Sequence, residues 1–288
     1  MSPKSDLYDS ILARRSVRRY ERNPLDEATL AQVRDIIASA KPLVPENQFE
    51  TLVRSTGVSE DLVTVLGAYG RIVTPPHVLA PHILGEKHLL EDLGYRVEQI
   101  AVRCAAIGIG SCYIGTLPRE DVVRARFGLP QSARIGALLV FGRPATAGGH
   151  AFNSVLRSVI GSNKRLPPER LFFQGSFTNP ATPPATLAPL IEAGRHAPSA
   201  VNAQPWRFLW RDGRVHVFVT KDNARYGNGP GRAAYCLYDG GICMANISLA
   251  MEALGTRGRW LLHDDHFVQS DVPEHPADLR PLATLVME

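Results

Sequence analysis

Glu27–Arg54 reads "EATLAQVRDIIASAKPLVPENQFETLVR", and Pro184–Arg211 reads "PATLAPLIEAGRHAPSAVNAQPWRFLWR". Laid over one another at a constant offset of 157 residues, they need no gap: Leu30 meets Leu187, Ala40 meets Ala197, Val44 meets Val201, Phe49 meets Trp206 and Arg54 meets Arg211. Such self-similarity points to an internal duplication. A second pair agrees. "GYRVEQIAVRCAAIGIGSCYIG" from Gly94 matches "GICMANISLAMEALGTRGRWLL" from Gly241 at an offset of 147. Each carries apolar residues at helical spacing and then a glycine, Gly108 or Gly255, where a helix would stop. Each half closes on an apolar strand, "RIGALLVFG" from Arg134 and "RPLATLVME" from Arg280.

The expected fold is therefore α+β and built from two similar halves, each running helix, loop, strand, long helix, strand. The proline-rich "SFTNPATPPATLAP" from Ser176 reads as an extended linker. It divides the chain into an N-terminal half, 1–174, and a C-terminal half, 175–288, with the linker at 176–189. Two like halves in one chain are expected to pack as an intrachain pseudo-dimer. The long helices from Gly94 and Gly241 are apolar around most of their circumference, which predicts that they form its buried centre.

Composition narrows the class of protein. With 288 residues, 44% hydrophobic and 21% charged, the chain can bury an adequate core. No apolar run approaches the ~20 residues of a membrane-spanning helix. The polar start, "MSPKSDLYDS", has no targeting character, so a cytoplasmic location is expected. Cys104, Cys112, Cys236 and Cys243 form no CxxC pair, and the nine histidines show no HExxH spacing, so no metal site is expected. Cys104 and Cys112 fall in apolar sequence that reads as helical, and a buried thiol is expected at each. A net charge of +4 is mild, and only Arg14, Arg15, Arg18 and Arg19 cluster tightly. That predicts local recognition of one anionic group and excludes a tracked nucleic acid.

Two runs could bind something. In "ARRSVRRY", Ala13–Tyr20, residues Arg14, Ser16 and Arg18 alternate, so an extended backbone would send them to one side. Two guanidiniums and a hydroxyl suit a phosphate. A solvated basic helix end complementing the dipole of the preceding helix accounts for the run equally well. In "HAPSAVNAQPW", His196–Trp206, the prolines set the backbone while Ser199 and Asn202 could turn the chain or meet a ligand. Gly108, Gly110 and Gly115 do not make the dinucleotide fingerprint GxGxxG and follow a helix, so a Rossmann phosphate loop is not expected.

Taken together, "RRSVRRY", "APSAVNAQPWRF", "AAIGIGSCYIGTLPREDVVRARFGLP" and "LLVFGRP" resemble the nitroreductase family of FMN-dependent flavoproteins. The resemblance covers most of the chain. In that family the arginine–serine run of one subunit and the proline–serine–asparagine loop of the other close over one FMN at a dimer interface. Here both pieces lie in one chain, and each half lacks the other piece. Pro42 stands opposite Ser199 and Pro45 opposite Asn202, while "FQGSFTNP" holds no arginine where the second half would need one. The layout is similar to double-length nitroreductases in which one chain imitates the dimer.

The resemblance implies cofactor-binding roles for Arg14, Ser16, Arg18, Ile114, Gly115, Thr116, Arg165, Pro198, Ser199 and Asn202. Arg15 and Arg19 would point away. Thr116 follows Ile114 and Gly115 in the backbone that approaches flavin N5, and Arg165 matches a phosphate-contacting arginine. Two departures are Ala200, where the family can have serine, and Asn163, where it sometimes has lysine. No catalytic acid or base is implied, because FMN carries the chemistry and Arg18 supplies a permanent cation to the reduced ring. The implied function is an FMN-dependent oxidoreductase passing electrons from NAD(P)H to a small-molecule acceptor such as a nitroaromatic or a quinone. It would work as a monomer, with one composite flavin site and no nucleic-acid or membrane partner. The alternative is a member that binds flavin but has lost turnover.

Overall fold

The computed structural model describes residues 3–66, 73–145, 164–229, 231–263 and 272–288. The first half runs α1 (Pro3–Ala13), α2 (Glu27–Ala38), β1 (Gln48–Arg54), α3 (Val58–Leu66), β2 (His77–Leu84), α4 (Leu89–Ala106), β3 (Gly110–Gly115), α5 (Glu120–Phe127) and β4 (Ala137–Gly142). After it come β5 (Phe172–Gln174), α6 (Ala188–His196), β6 (Trp206–Arg211), β7 (Arg214–Thr220), α7 (Tyr235–Leu254), β8 (Gly258–Leu262) and β9 (Leu279–Met287). The strands form two sheets, ordered β1-β2-β4-β3 and β5-β6-β7-β9-β8. Without β5, the two orders are the same, and every neighbouring pair in them is antiparallel. The duplication in the sequence is a duplication of topology.

The expected two strands per half become four. Strand β2, "HVLAPHIL", is buried on both faces over His77–Ile83, so it lacks the alternation of a half-buried strand. Pro81 also argues against a strand. It is tolerated because β2 pairs with β4 only over His77–Leu79 and next meets that side at the Ile83–Arg134 bridge, so Pro81 falls in a gap of the ladder. Strands β3 and β8 begin within a few residues of the glycines that end the long helices, and so read as helix tails. Gly108 and Gly255 do end those helices, with φ of 78° and 70°. Cys112 consequently lies on β3, not on a helix; Cys104 and Cys112 are both buried thiols, as expected.

Helices α4 and α7 cross at the centre of the molecule through their glycines. A Cβ at Gly94 would sit on the carbonyl oxygen of Tyr238, and one at Gly241 on the carbonyl oxygen of Glu91. Tyr238 precedes Gly241 by the same three residues as Glu91 precedes Gly94. Exchanging the helices therefore maps the contact onto itself, which is the property of an isologous interface.

The same symmetry recurs at the loops. On α4, Asp92 accepts a hydrogen bond from the Leu43 amide at 2.7 Å; on α7, Asp239 accepts from the Ala200 amide at 3.0 Å. Asp92 and Asp239 are matched by the 147 offset, and Leu43 and Ala200 by the 157 offset. On the first side Arg96 pairs with Asp92 at 3.0 Å and donates to the carbonyls of Val44 and Asn47, so that loop is filled by its own ion pair. One apolar core joins the halves through Leu93, Ile100, Trp206, Cys243 and Met244. A second, with Leu62, Val78, Val140 and Phe127, lies on the other face of the first sheet. Among the described residues no helix is long and apolar enough to cross a membrane.

Candidate functional site

Helix α1 leans on the opposite half: the Tyr8 hydroxyl donates to the Pro189 carbonyl at 2.9 Å, and Ile11 enters the shared core. The chain therefore leaves α1 between the halves. It runs extended beside β3, held by the Val17 amide donating to Ser111 O at 2.9 Å and by a bridge between Ser16 and Ser111. Extended backbone alternates its side chains, so Arg14 and Arg18 turn inward, each 6% exposed, while Arg15 and Arg19 stay outside.

Inward lies a cavity of about 340 Å³. Arg14 Nη1 and both Nε and Nη1 of Arg18 are buried without a hydrogen-bond partner. Guanidinium donors are costly to bury unpaired, and an anionic group in the cavity would satisfy all three. The opposite wall is the loop from Pro198 to Asn202. Arg165 braces that loop, donating from Nη1 to Asn202 Oδ1 at 3.0 Å and from Nη2 to the His196 carbonyl at 2.7 Å. Burial, reinforced by Arg14, Arg15 and Arg195 nearby, pulls its pKa down to about 10. This crowding of positive charge also calls for an anion.

The loop is wound tightly. Val201, Asn202 and Gln204 have φ of 49°, 55° and 48°, and a β-branched residue is especially costly in that region. Ser199 Oγ accepts from the Gln204 amide at 2.9 Å, and Asn202 Nδ2 donates to the Lys164 carbonyl at 3.0 Å. Below it, Asp239 receives the Tyr226 hydroxyl at 2.7 Å besides the Ala200 amide. Burial raises its pKa to about 7, against the pull of those two bonds. Val201 is 48% exposed, so its side chain contributes little packing. Val201→Gly is expected to stabilise the ligand-free chain by roughly 0.5–1 kcal/mol, the relief of left-handed strain less the added freedom of the unfolded chain. A urea midpoint below that of the parent would contradict this.

Nine of the ten residues expected from the sequence border the cavity: Arg14, Ser16, Arg18, Ile114, Gly115, Arg165, Pro198, Ser199 and Asn202. Thr116 does not. Its amide donates to Gly136 O and its carbonyl accepts from Arg119, which finishes the strand behind the wall. Arg15, expected to point away, is exposed yet also borders the cavity. The amide of Asn202 is engaged by Lys164 and Arg165, so it holds the loop's shape. Asn163 lies outside the described residues. Leu66, at the end of α3, also reaches the cavity.

The sequence reading missed the aromatic side of the site. Tyr235, Tyr238, Asp239 and Ile242 all face the cavity from α7. Three polar residues at helical spacing in the otherwise apolar first half of that helix were the available signal. The room at Gly115, expected for a flat ring, is used here by Tyr235, whose phenol a Cβ would strike; at Gly136, with φ of 61°, a Cβ would strike the Tyr238 ring. The other miss is Glu98 on α4, fully buried behind Arg14 and Tyr113, with the Tyr113 hydroxyl donating to its Oε2 at 2.7 Å.

A cavity between two like-ordered halves, with buried cationic donors from one and a polar loop from the other, gives this two-half α+β protein a site whose charge would match an anionic ligand. The sequence model of the family described as "Putative TM nitroreductase" matches residues 6–250, and the chain belongs to that nitroreductase family. Its fold is that of a "putative nitroreductase" from Thermotoga maritima, 17% identical, with a TM-score of 0.59 over 98% of this chain and 93% of that one. A structure described as a "putative NADH dehydrogenase/NAD(P)H nitroreductase" from Bacteroides thetaiotaomicron is 20% identical, with a TM-score of 0.42 over 50% of this chain and 89% of that one. The NADPH:FMN oxidoreductase of Vibrio harveyi is 18% identical, with a TM-score of 0.41 over 49% of this chain and 70% of that one. No curated protein matches the chain.

Proposed function

We propose that the chain is an FMN-dependent oxidoreductase that passes electrons from NADH or NADPH to a small acceptor, such as a nitroaromatic or a quinone, at one composite flavin site per chain. In this reading it works in the cytoplasm as a monomer, its halves standing in for two subunits. The observation that carries the reading is the set of orphaned donors on Arg14 and Arg18, buried in a cavity that the Pro198–Asn202 loop closes from the other half.

When bound, FMN supplies the hydride chemistry. The chain's residues bind, orient and shield. Arg14 and Arg165 answer the phosphate, with Ser16 as a neutral donor beside them. Arg18, with Nε and Nη1 unmatched, opposes negative charge in the ligand. Tyr235, Tyr238 and Ile242 present an apolar surface that excludes water, and Gly115 brings backbone close to the space they enclose. Ser199 and Pro198 close the far side.

The purified chain is expected to be yellow, with one flavin per chain by absorbance after reconstitution. Anaerobic NADH or NADPH is expected to bleach it, and a quinone to restore the colour. Two flavins per chain, or none, would sink the composite site. A yellow protein inert to both donors would establish the binding-only alternative.

A further inference from the structure

Glu98 is 0% exposed and sits at the join of both halves. From the segment after α1, Arg14 Nε approaches its Oε1 at 3.5 Å, an ion-pair contact without a hydrogen bond, and that oxygen has no other partner. From β3, Tyr113 donates to its Oε2. Arg165, before β5, and Tyr238, on α7, are the other groups whose charge it feels. Arg14 is thus shared: one side of its guanidinium faces a buried carboxylate, while Nη1 is left unmatched at the cavity.

We propose that Glu98 is the resident counter-anion of Arg14, and that it takes up one proton from solvent when an anionic ligand binds in the cavity and claims that guanidinium. It is a positioning residue: it holds Arg14 in place in the ligand-free chain and gives up its charge when a phosphate replaces it. The balance is simple. One proton moves from water to a Glu98 oxygen, no covalent bond to carbon forms or breaks, and the neutral carboxyl can keep its bond to Tyr113. The inference rests on reading the cavity as an anionic-cofactor site.

Burial holds the ligand-free Glu98 pKa at about 7, with Arg14 and the Tyr113 bond pulling it down. A phosphate arriving at Arg14 places like charge beside it, and its pKa must rise further. Below about pH 7 the proton is already present, so affinity is flat. Above it, binding must draw a proton, and affinity falls by up to about tenfold per pH unit. A phosphate monoester, with a second pKa of about 6, is already a dianion in that window and adds no titration of its own.

The test is calorimetric titration of the flavin-free full chain with FMN at pH 6.5–8.5, repeated at pH 8 in two buffers of different ionisation enthalpy. Sulfate, which does not titrate in this range, is the second probe. The parent chain is expected to take up close to one proton per FMN at pH 8, with the Kd rising by roughly tenfold or more from pH 7 to 8.5. Glu98→Gln should take up none, show a flat Kd, and bind more tightly than the parent at pH 8. Tyr113→Phe, which removes the bond that favours the anion, should move the fall in affinity to higher pH. Asp239→Asn, altering a buried carboxylate that lines the cavity itself, should leave the uptake in place. Binding of FMN without proton uptake, or uptake that survives Glu98→Gln and disappears in Asp239→Asn, overturns the assignment while leaving the flavin reading intact. Proton-coupled sulfate binding in a chain that refuses FMN does the reverse.

Discussion

Replacing Arg14 and Arg18 together by alanine is expected to yield a folded but colourless chain, with FMN affinity reduced by a factor of roughly 10²–10⁴. The estimate takes about 1.5–3 kcal/mol for each lost charge-assisted interaction, at 1.4 kcal/mol per tenfold. Both guanidiniums are buried, and three of their nitrogens have nothing to bond in the ligand-free chain. Arg18→Ala takes away a group that burial penalises, so the melting temperature of that flavin-free single variant is not expected to fall, whereas Arg14→Ala leaves Glu98 without its counter-cation and is expected to lower it above about pH 7. The Arg18 variant thus separates a binding defect from a folding defect. Arg15→Ala, which removes an exposed side chain at the edge of the cavity, should change affinity no more than about twofold, the scale of a screened surface charge. Equilibrium titration against flavin fluorescence measures all three. An unchanged flavin content in the double variant would mean that the ligand lies elsewhere.

The second large effect belongs to the helix crossing. Gly94→Val and Gly241→Val each drive a side chain into a backbone carbonyl of the other helix, and a carbonyl cannot rotate away as a flexible side chain can. Each is expected to cost at least about 3 kcal/mol, the upper part of the overpacking range, because two helices must separate along their length. Since the contacts are images of one another, the two costs should agree to within about 1 kcal/mol, the usual spread from unequal surroundings. Gly108→Ala and Gly255→Ala provide the contrast. Nothing crowds either position, so only the left-handed backbone is strained, at about 1–2 kcal/mol. Urea midpoints of the four variants settle the matter. A chain carrying Gly94→Val that unfolds at the parental midpoint would mean that α4 and α7 do not cross where the structure has them.

What was legible in the sequence was what local periodicity and offset encode. The matched helices, the glycine stops and the in–out alternation of Arg14, Arg15, Arg18 and Arg19 all follow from spacing along the chain, and the structure has them. Strands β2 and β7 were not legible. A strand buried on both faces leaves no two-residue period, and β2 carries a proline whose harmlessness depends on a gap in its pairing with a neighbouring strand. The site divides the same way. Its cationic and proline–serine–asparagine pieces are compact motifs, whereas Glu98 and Asp239 look like ordinary helix-surface acids until the tertiary structure buries them. Tyr235 and Tyr238 read as core because their burial among apolar neighbours is real; only the packing of α7 against β3 and the loop shows that they also bound a cavity. Asn202 carries a ligand role by resemblance, and the partners of its amide, Lys164 and Arg165, could be found only from the tertiary structure.

The repeated aspartate–amide clasp has an evolutionary reading. In an assembly of two identical chains, any change near such a clasp is imposed on both copies at once, so neither can be improved for rigidity without touching the other's chemistry. Once the copies share a single polypeptide, that constraint is lifted. Arg96 beside Asp92, where the other copy has Cys243, shows a clasp that has specialised as a strut, while its twin at Asp239 stays open to the cavity.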